Sequence, residues 1–161
     1  MYRVVRWPNA SAASREGRVA HMTNIAAALA ALCTLLKDKA GLSAAVGRPA
    51  GAVGIHIWPW QLVPSTGAMS PPLVRPPSGG PGPVSWPMEL RVLLVSSGTQ
   101  AAIDDLSRAH RVLVDDPVLQ LGDSRIQIVP SPLSAADLAA IFTAGRVPLS
   151  LSSSFTLLCS L

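Results

Sequence analysis

The sequence predicts a small α/β domain of the α+β kind, with a mixed, largely antiparallel sheet of about four strands and helices packed on it. Two patterns predict this class. In four segments apolar and polar residues alternate, as in half-buried strands. In three others apolar residues recur three and four positions apart, as in amphipathic helices. A chain of 161 residues suits one such domain, because it buries enough surface to fold without disulfide or metal staples.

The last thirteen residues, 149–161, form the clearest strand. Apolar residues occupy most odd positions and hydroxyl residues most even ones, without any charge, glycine or proline. One face of such a strand packs in a core, where each buried apolar side chain contributes about 1.5–3 kcal/mol. We therefore expect this strand in the middle of the sheet. Its expected core residues are Leu149, Leu151, Phe155, Leu157, Cys159 and Leu161.

The net positive charge of the chain is concentrated at its start. Residues 1–21 carry four arginines against one glutamate, whereas residues 22–161 carry nine basic and eight acidic residues. A nucleic-acid interface needs clustered lysine and arginine to displace counterions from phosphates. The nearly neutral body predicts no nucleic-acid partner.

We interpret residues 1–21 as a disordered tail or a non-native upstream extension, with Met22 as the natural start. The single domain is then residues 22–161. Residues 1–21 contain arginine and serine and few acids, which superficially resembles a transit segment. The apolar run behind them, Ile25 to Leu36, is about twelve residues long, which is too short to span a bilayer. Lys37-Asp38-Lys39 follows it, where a signal peptide would have small residues at its cleavage site.

The first helix begins near Ile25, because Thr23 or Asn24 can cap it and alanines fill its interior. Gly41 supplies its end. The inner face of this helix is predicted to hold Ile25, Leu29, Leu32 and Leu36.

A strand follows over Ile55 to Val63, and Pro59 places it at a sheet edge, in a bend or at a bulge. Its tryptophans, Trp58 and Trp60, suit either the core or a subunit contact. The next segment, 64–87, holds eight of the fifteen prolines, so we expect a long loop there, either functional or flexible.

The second half of the chain predicts two more strands, Met88 to Val95 and Arg125 to Val129, and two more helices. Thr99 can cap a helix that runs to about Val114. Ser134 can cap another that runs to Ala144, with Asp137 completing a variant capping box. The predicted inner positions of the two helices are Ile103, Leu106, His110 and Leu113, and Leu138, Ile141 and Phe142.

The residues that carry chemistry form no recognisable site. The sequence lacks a Gly-x-Ser-x-Gly elbow, a His-Glu-x-x-His motif and a Cys-x-x-Cys motif. Cys33 and Cys159 lie in apolar patterns, where a thiol behaves as a small hydrophobe. Only His56 and His110 remain as acid or base candidates in the domain, and Ser153 and its neighbours need a nearby histidine to act as nucleophiles. We therefore predict no catalytic residues, no metal site and no cofactor.

Five segments are informative as an ordered set. They are 23–29 (TNIAAAL), 55–60 (IHIWPW), 88–96 (MELRVLLVS), 113–119 (LVDDPVL) and 133–157. In this order they resemble the N-terminal domain of the cap, or tail-terminator, proteins of phage-tail-like contractile injection systems of the antifeeding-prophage type. Such caps often carry an aromatic residue where this chain has Val92 or Val95, and a segment with Asn and Arg where this chain has Pro64 to Ala68. The framework of the family is therefore carried over to this chain, but loop contacts to a partner are not.

The resemblance implies a structural protein rather than an enzyme. Its copies would form a ring, expected to be a homohexamer, that closes the distal end of the inner tube and sheath and anchors the last sheath layer. The implied partners are the chain itself, the sheath protein and the inner tube protein. The particle would assemble in the cytoplasm and stay there or be released. The expected interface residues are Ile57, Trp58, Trp60, Phe155, Leu157 and Leu161.

Two other functions stay open at this point. One is a head-tail connector or tail-completion protein of a phage, which differs from a cap in its gene neighbours. The other is a small ligand-binding or hydrolase domain that uses His56 or His110.

Overall fold

The computed structural model describes residues 25–49, 54–65, 87–96, 98–122 and 124–160. The chain there forms α1 (Ile25–Ala40), β1 (Ala44–Val46), β2 (Ile55–Pro64), β3 (Pro87–Ser96), α2 (Gln100–Asp115), β4 (Val118–Leu121), β5 (Ser124–Pro130), α3 (Ala135–Gly145) and β6 (Ser152–Ser160). The segment 1–21, most of the segment 64–87, the capping candidates Thr23 and Asn24, and Leu161 lie outside the described residues.

The strands form one six-stranded sheet in the order β1-β2-β3-β6-β5-β4. β1 and β2 are parallel, and the other neighbouring strands are antiparallel. The predicted class, an α+β fold with a largely antiparallel sheet, is therefore confirmed. The sheet contains two strands beyond the four predicted, because β1 and β4 have three and four residues and are too short to show an alternating pattern.

The helix ends follow the predicted capping chemistry. The hydroxyl of Thr99 accepts a hydrogen bond from the Ala102 N–H at 3.2 Å, and that of Ser134 accepts one from the Asp137 N–H at 3.1 Å. Both hydroxyls satisfy N–H groups that a helix start leaves without an internal partner. At the end of α1, Gly41 takes a left-handed conformation with φ 66°, where glycine has no steric penalty.

The helices cover both faces of the sheet. We call the side that carries α1 and α2 the two-helix face, and the side that carries α3 the one-helix face. Side chains of β3 alternate between them: Leu90, Val92 and Leu94 join the core under α1 and α2, whereas Leu93 and Val95 join a smaller core under α3. The sheet is thus the middle layer of three.

β6 lies between β3 and β5, so its predicted central position is confirmed. Phe155 and Leu157 are fully buried on its two-helix face, and Cys159 is buried beside them. The prediction was wrong for Leu149 and Leu151, which are 67% and 54% exposed. β6 begins only at Ser152, and β5 ends opposite Phe155, so β5 does not extend beside these two leucines.

The inner face of α2 also differs from the prediction at two positions, because Ile103 is only half-buried and lies outside the core clusters, and His110 is exposed. Ala102, Leu106, Ala109 and Leu113 are its buried residues. Small alanines let the helix lie close to the sheet, and His110 is left at the border of the packed face.

Candidate functional site

Among the described residues, the outer edge of β2 is unpaired over most of its length. β1 pairs only with Ile55 to Ile57, so in the described part of the chain no strand flanks the segment from Trp58 to Pro64 on that side. The register of β2 against β3 shifts between Pro59 and Gln61, which confirms the predicted irregularity at Pro59. Prolines and bulges at a sheet edge weaken it as a template for another strand. This edge is therefore poorly suited to strand pairing.

Three of the expected interface residues lie in the interior. Ile57, Phe155 and Leu157 have no exposed surface and belong to the core between the sheet and the helices α1 and α2. Their side chains cannot reach a partner in this conformation. An interface at these residues remains a prediction, and it would have to involve their backbone.

Trp58 packs in the smaller core on the one-helix face. Its ring meets that of Phe142 edge to face, with centroids 5.6 Å apart and planes at 88°. In such an arrangement the favourable interaction between the ring quadrupoles adds to the stabilisation that comes from burying the two rings. The last residue of α3, Gly145, lies directly against the indole, and a Cβ there would come within 2.4 Å of it. With 7% of its surface exposed, Trp58 is a core residue.

Trp60 belongs to a polar group on the one-helix face. The Arg91 guanidinium lies 5.8 Å from the centre of the Trp60 ring. One guanidinium N–H group donates to Gln61 Oε1 at 3.1 Å, and another lies 3.8 Å from Glu89. Sequence reasoning missed this group, because the bulge brings both Trp60 and Gln61 toward the face that Arg91 and Glu89 occupy. Of the expected interface residues described, Trp60 is the most accessible.

The structure brings a histidine beside one of the serines of β6. His110 Nδ1 and Ser153 Oγ are 2.7 Å apart, and the His110 ring lies 5.2 Å from that of Phe155. Among the described residues, no carboxylate is hydrogen-bonded to His110, so the third group that orients a catalytic histidine is missing there. His56, the other candidate base, is 4% exposed. It pairs with Val95 and therefore lies on the one-helix face, whereas Ser153 pairs with Leu94 and lies on the two-helix face.

The two cysteines lie among apolar side chains, Cys159 buried in the core and Cys33 half-buried against it. Burial raises the pKa of the Cys33 thiol and of the Cys159 thiol above the usual value. Both thiols are therefore protonated at neutral pH and are poor nucleophiles and metal ligands. In the same described part of the chain, no three His, Cys, Asp or Glu residues are grouped as a metal site requires. None of the helices described there is long and apolar enough to cross a membrane.

The architecture, a curled and mostly antiparallel sheet with helices on both faces, is a mixed α+β fold similar to that of tail terminators. A solved structure with this fold is the sheath/tube terminator of an extracellular contractile injection system, PVC, in its extended state. The two folds superpose with a TM-score of 0.61 at 15% sequence identity, over 88% of this chain and 58% of the other. The resemblance drawn from the five ordered segments is thus confirmed for the fold.

The chain spans 58% of the length of the terminator it matches. No model of a protein family and no curated protein matches the sequence.

Proposed function

We propose that this chain is the structural cap of a contractile injection system. Copies of it form a ring, a hexamer, that closes the distal end of the inner tube and sheath and anchors the last sheath layer. The observation that carries the proposal is the similarity of its fold to a sheath/tube terminator. Its partners are then other copies of the chain, the sheath protein and the tube protein.

The described residues support a role in binding rather than catalysis. Among the described residues, the polar groups that could react form no complete catalytic set: His110 contacts Ser153 without a carboxylate, and His56 is buried in the sheet. Accessible apolar side chains, by contrast, lie near the start of β6, where Leu149 and Leu151 are both more than half exposed. We therefore propose that the chain is not an enzyme and that it needs no cofactor.

The particle is proposed to assemble in the cytoplasm and to remain there or be released. Gene neighbours distinguish this proposal from a head-tail connector of a phage. Sheath, tube and baseplate genes beside the gene for this chain support the cap, whereas portal and capsid genes support the connector.

Deleting the gene for this chain tests the cap function. A missing terminator leaves the last sheath layer without its anchor, so we expect sheaths of uncontrolled length or unstable particles in negative-stain images. Re-expression of the chain from a plasmid is the control and should restore one length. Stable particles of unchanged length in the deletion strain would contradict the proposal.

A further inference from the structure

At its beginning, β6 has an edge that no other described strand covers. β5 ends at Pro130, opposite Phe155, whereas β6 begins three residues earlier at Ser152. Ser131 still donates its N–H to the Ser154 carbonyl at 3.0 Å, and the chain then leaves toward α3. Ser152 and Ser153 are therefore paired with β3 on one side. On the other side, no strand of the described chain lies beside them.

The backbone of Ser152 faces this open side. The Leu151 carbonyl accepts a hydrogen bond from the Ser96 N–H, at 3.0 Å, at the β3 side. The Ser152 N–H belongs to the same planar trans peptide and so points the opposite way. Alternate residues of a strand direct their N–H and C=O groups to the same side, and the Ser154 carbonyl points toward β5. Ser152 thus presents one donor and one acceptor to the open edge.

Two grooves flank this edge, one on each face of the sheet, and we call the edge with its grooves the strand slot. The groove on the two-helix face has a volume of about 430 Å³ and is lined by Leu106, Val114 and Leu151 among others. The groove on the one-helix face has a volume of about 360 Å³, and its lining includes Pro132, Leu133 and Leu138. His110 borders both grooves.

The charges around the slot define what it can hold. The first groove is lined by one positive residue, Arg111, and one negative residue, Asp115, so its lining has no net charge. The described lining of the second groove contains no Lys, Arg, Asp or Glu. A strand laid along the open edge would direct alternate side chains into the two grooves. Since both grooves are largely apolar, the complementary strand carries no charge and has aliphatic side chains on both of its faces.

We propose that the strand slot binds one extended, uncharged, aliphatic strand of a different protein, which continues the sheet beyond the end of β5. This inference rests on the proposed function, because the donor is then another component of the particle. Main-chain hydrogen bonds to Ser152 supply affinity and the two grooves supply specificity, as in other cases of strand addition. A second copy is a poor donor, because its described edge strands β1 and β4 have only three and four residues and the edge of its β2 is interrupted at Pro59.

The matched variants Ser152→Pro and Ser152→Ala test the slot within particles isolated from the native host. Proline removes the N–H that faces the open edge and leaves the bonds of neighbouring residues to β3 in place. We expect roughly tenfold less of the Ser152→Pro variant per particle than of the wild-type chain, because one hydrogen bond to the bound strand is lost and that strand is displaced. Ser152→Ala should be retained as the wild type is. Far-ultraviolet circular dichroism and thermal unfolding of both variants check that the fold is intact.

A photoreactive group at the exposed position 151, introduced as Leu151→p-benzoylphenylalanine, identifies the occupant. After irradiation of the particles, mass spectrometry should find a crosslink to an uncharged aliphatic segment of another protein. Crosslinks only between copies of this chain, or to a charged segment, would overturn the proposal. So would full retention of Ser152→Pro in particles.

These results separate the two proposals. If particles that contain the Ser152→Pro variant keep their normal length and retain the chain at their end, the strand slot is refuted and the cap function is not affected. Particles that lack the wild-type chain altogether would refute both.

Discussion

Replacing Phe155 by alanine is expected to lower the free energy of unfolding by about 3–5 kcal/mol. Phe155 has no exposed surface and lies on the two-helix face of the central strand. Its removal leaves a cavity between β6 and α2 that the paired strands on both sides prevent from closing. Equilibrium unfolding in urea, followed by circular dichroism, measures the change.

Leu151→Ala is the matched control. Residue 151 lies just before the strand, at an even spacing from residue 155, so the alternation places both side chains on the same face. Its side chain is 54% exposed, so we expect the free energy of unfolding to change by no more than about 0.5 kcal/mol. An equal decrease in the free energy of unfolding for both variants would contradict this packing, in which the core on the two-helix face begins beyond Leu151.

Replacing Gly145 by alanine is expected to lower the free energy of unfolding by about 1–3 kcal/mol, the usual cost of overpacking. Helix propensity alone favours alanine at this position. The added Cβ, however, would lie 2.4 Å and 2.6 Å from two ring atoms of Trp58, which Phe142 holds from another side. The clash therefore outweighs the gain in propensity. Thermal and urea unfolding measure the result.

A double-mutant cycle with Trp58→Leu separates this clash from a general effect on α3. The smaller side chain removes the indole, so Gly145→Ala should cost far less in the Trp58→Leu background. Thr143→Ala, at an exposed position of the same helix, should be nearly neutral. A cost of Gly145→Ala that is the same in both backgrounds would show that Trp58 is not its cause.

The regular elements were predictable from the sequence because each depends on local chemistry. The hydroxyls of Thr99 and Ser134 cap their helices as predicted, and Gly41 ends α1 in a left-handed conformation. The alternation around Phe155 and Leu157 identified the central strand. A run of alternating residues shows which side chains share a face, but it does not show how far the neighbouring strand extends. For this reason Leu149 and Leu151 were wrongly placed in the core.

The arrangement around the strand slot could not be read from the sequence. It depends on where β5 ends relative to β6 and on α2 crossing that end, and both are long-range relations. The contact between His110 and Ser153 joins residues 43 positions apart, and no motif marks it. Similarly, the bulge in β2 determines that Trp60 meets Arg91, and Pro59 indicated only that some irregularity would occur.

Cryo-electron microscopy of intact particles from the native host tests the cap function most directly. We expect a closed ring of identical copies at one end of the sheath and inner tube. The fold of this chain should fit the density of that ring, with the strand slot facing another protein. Density for this chain along the length of the shaft, or particle ends that lack it, would contradict the proposed function.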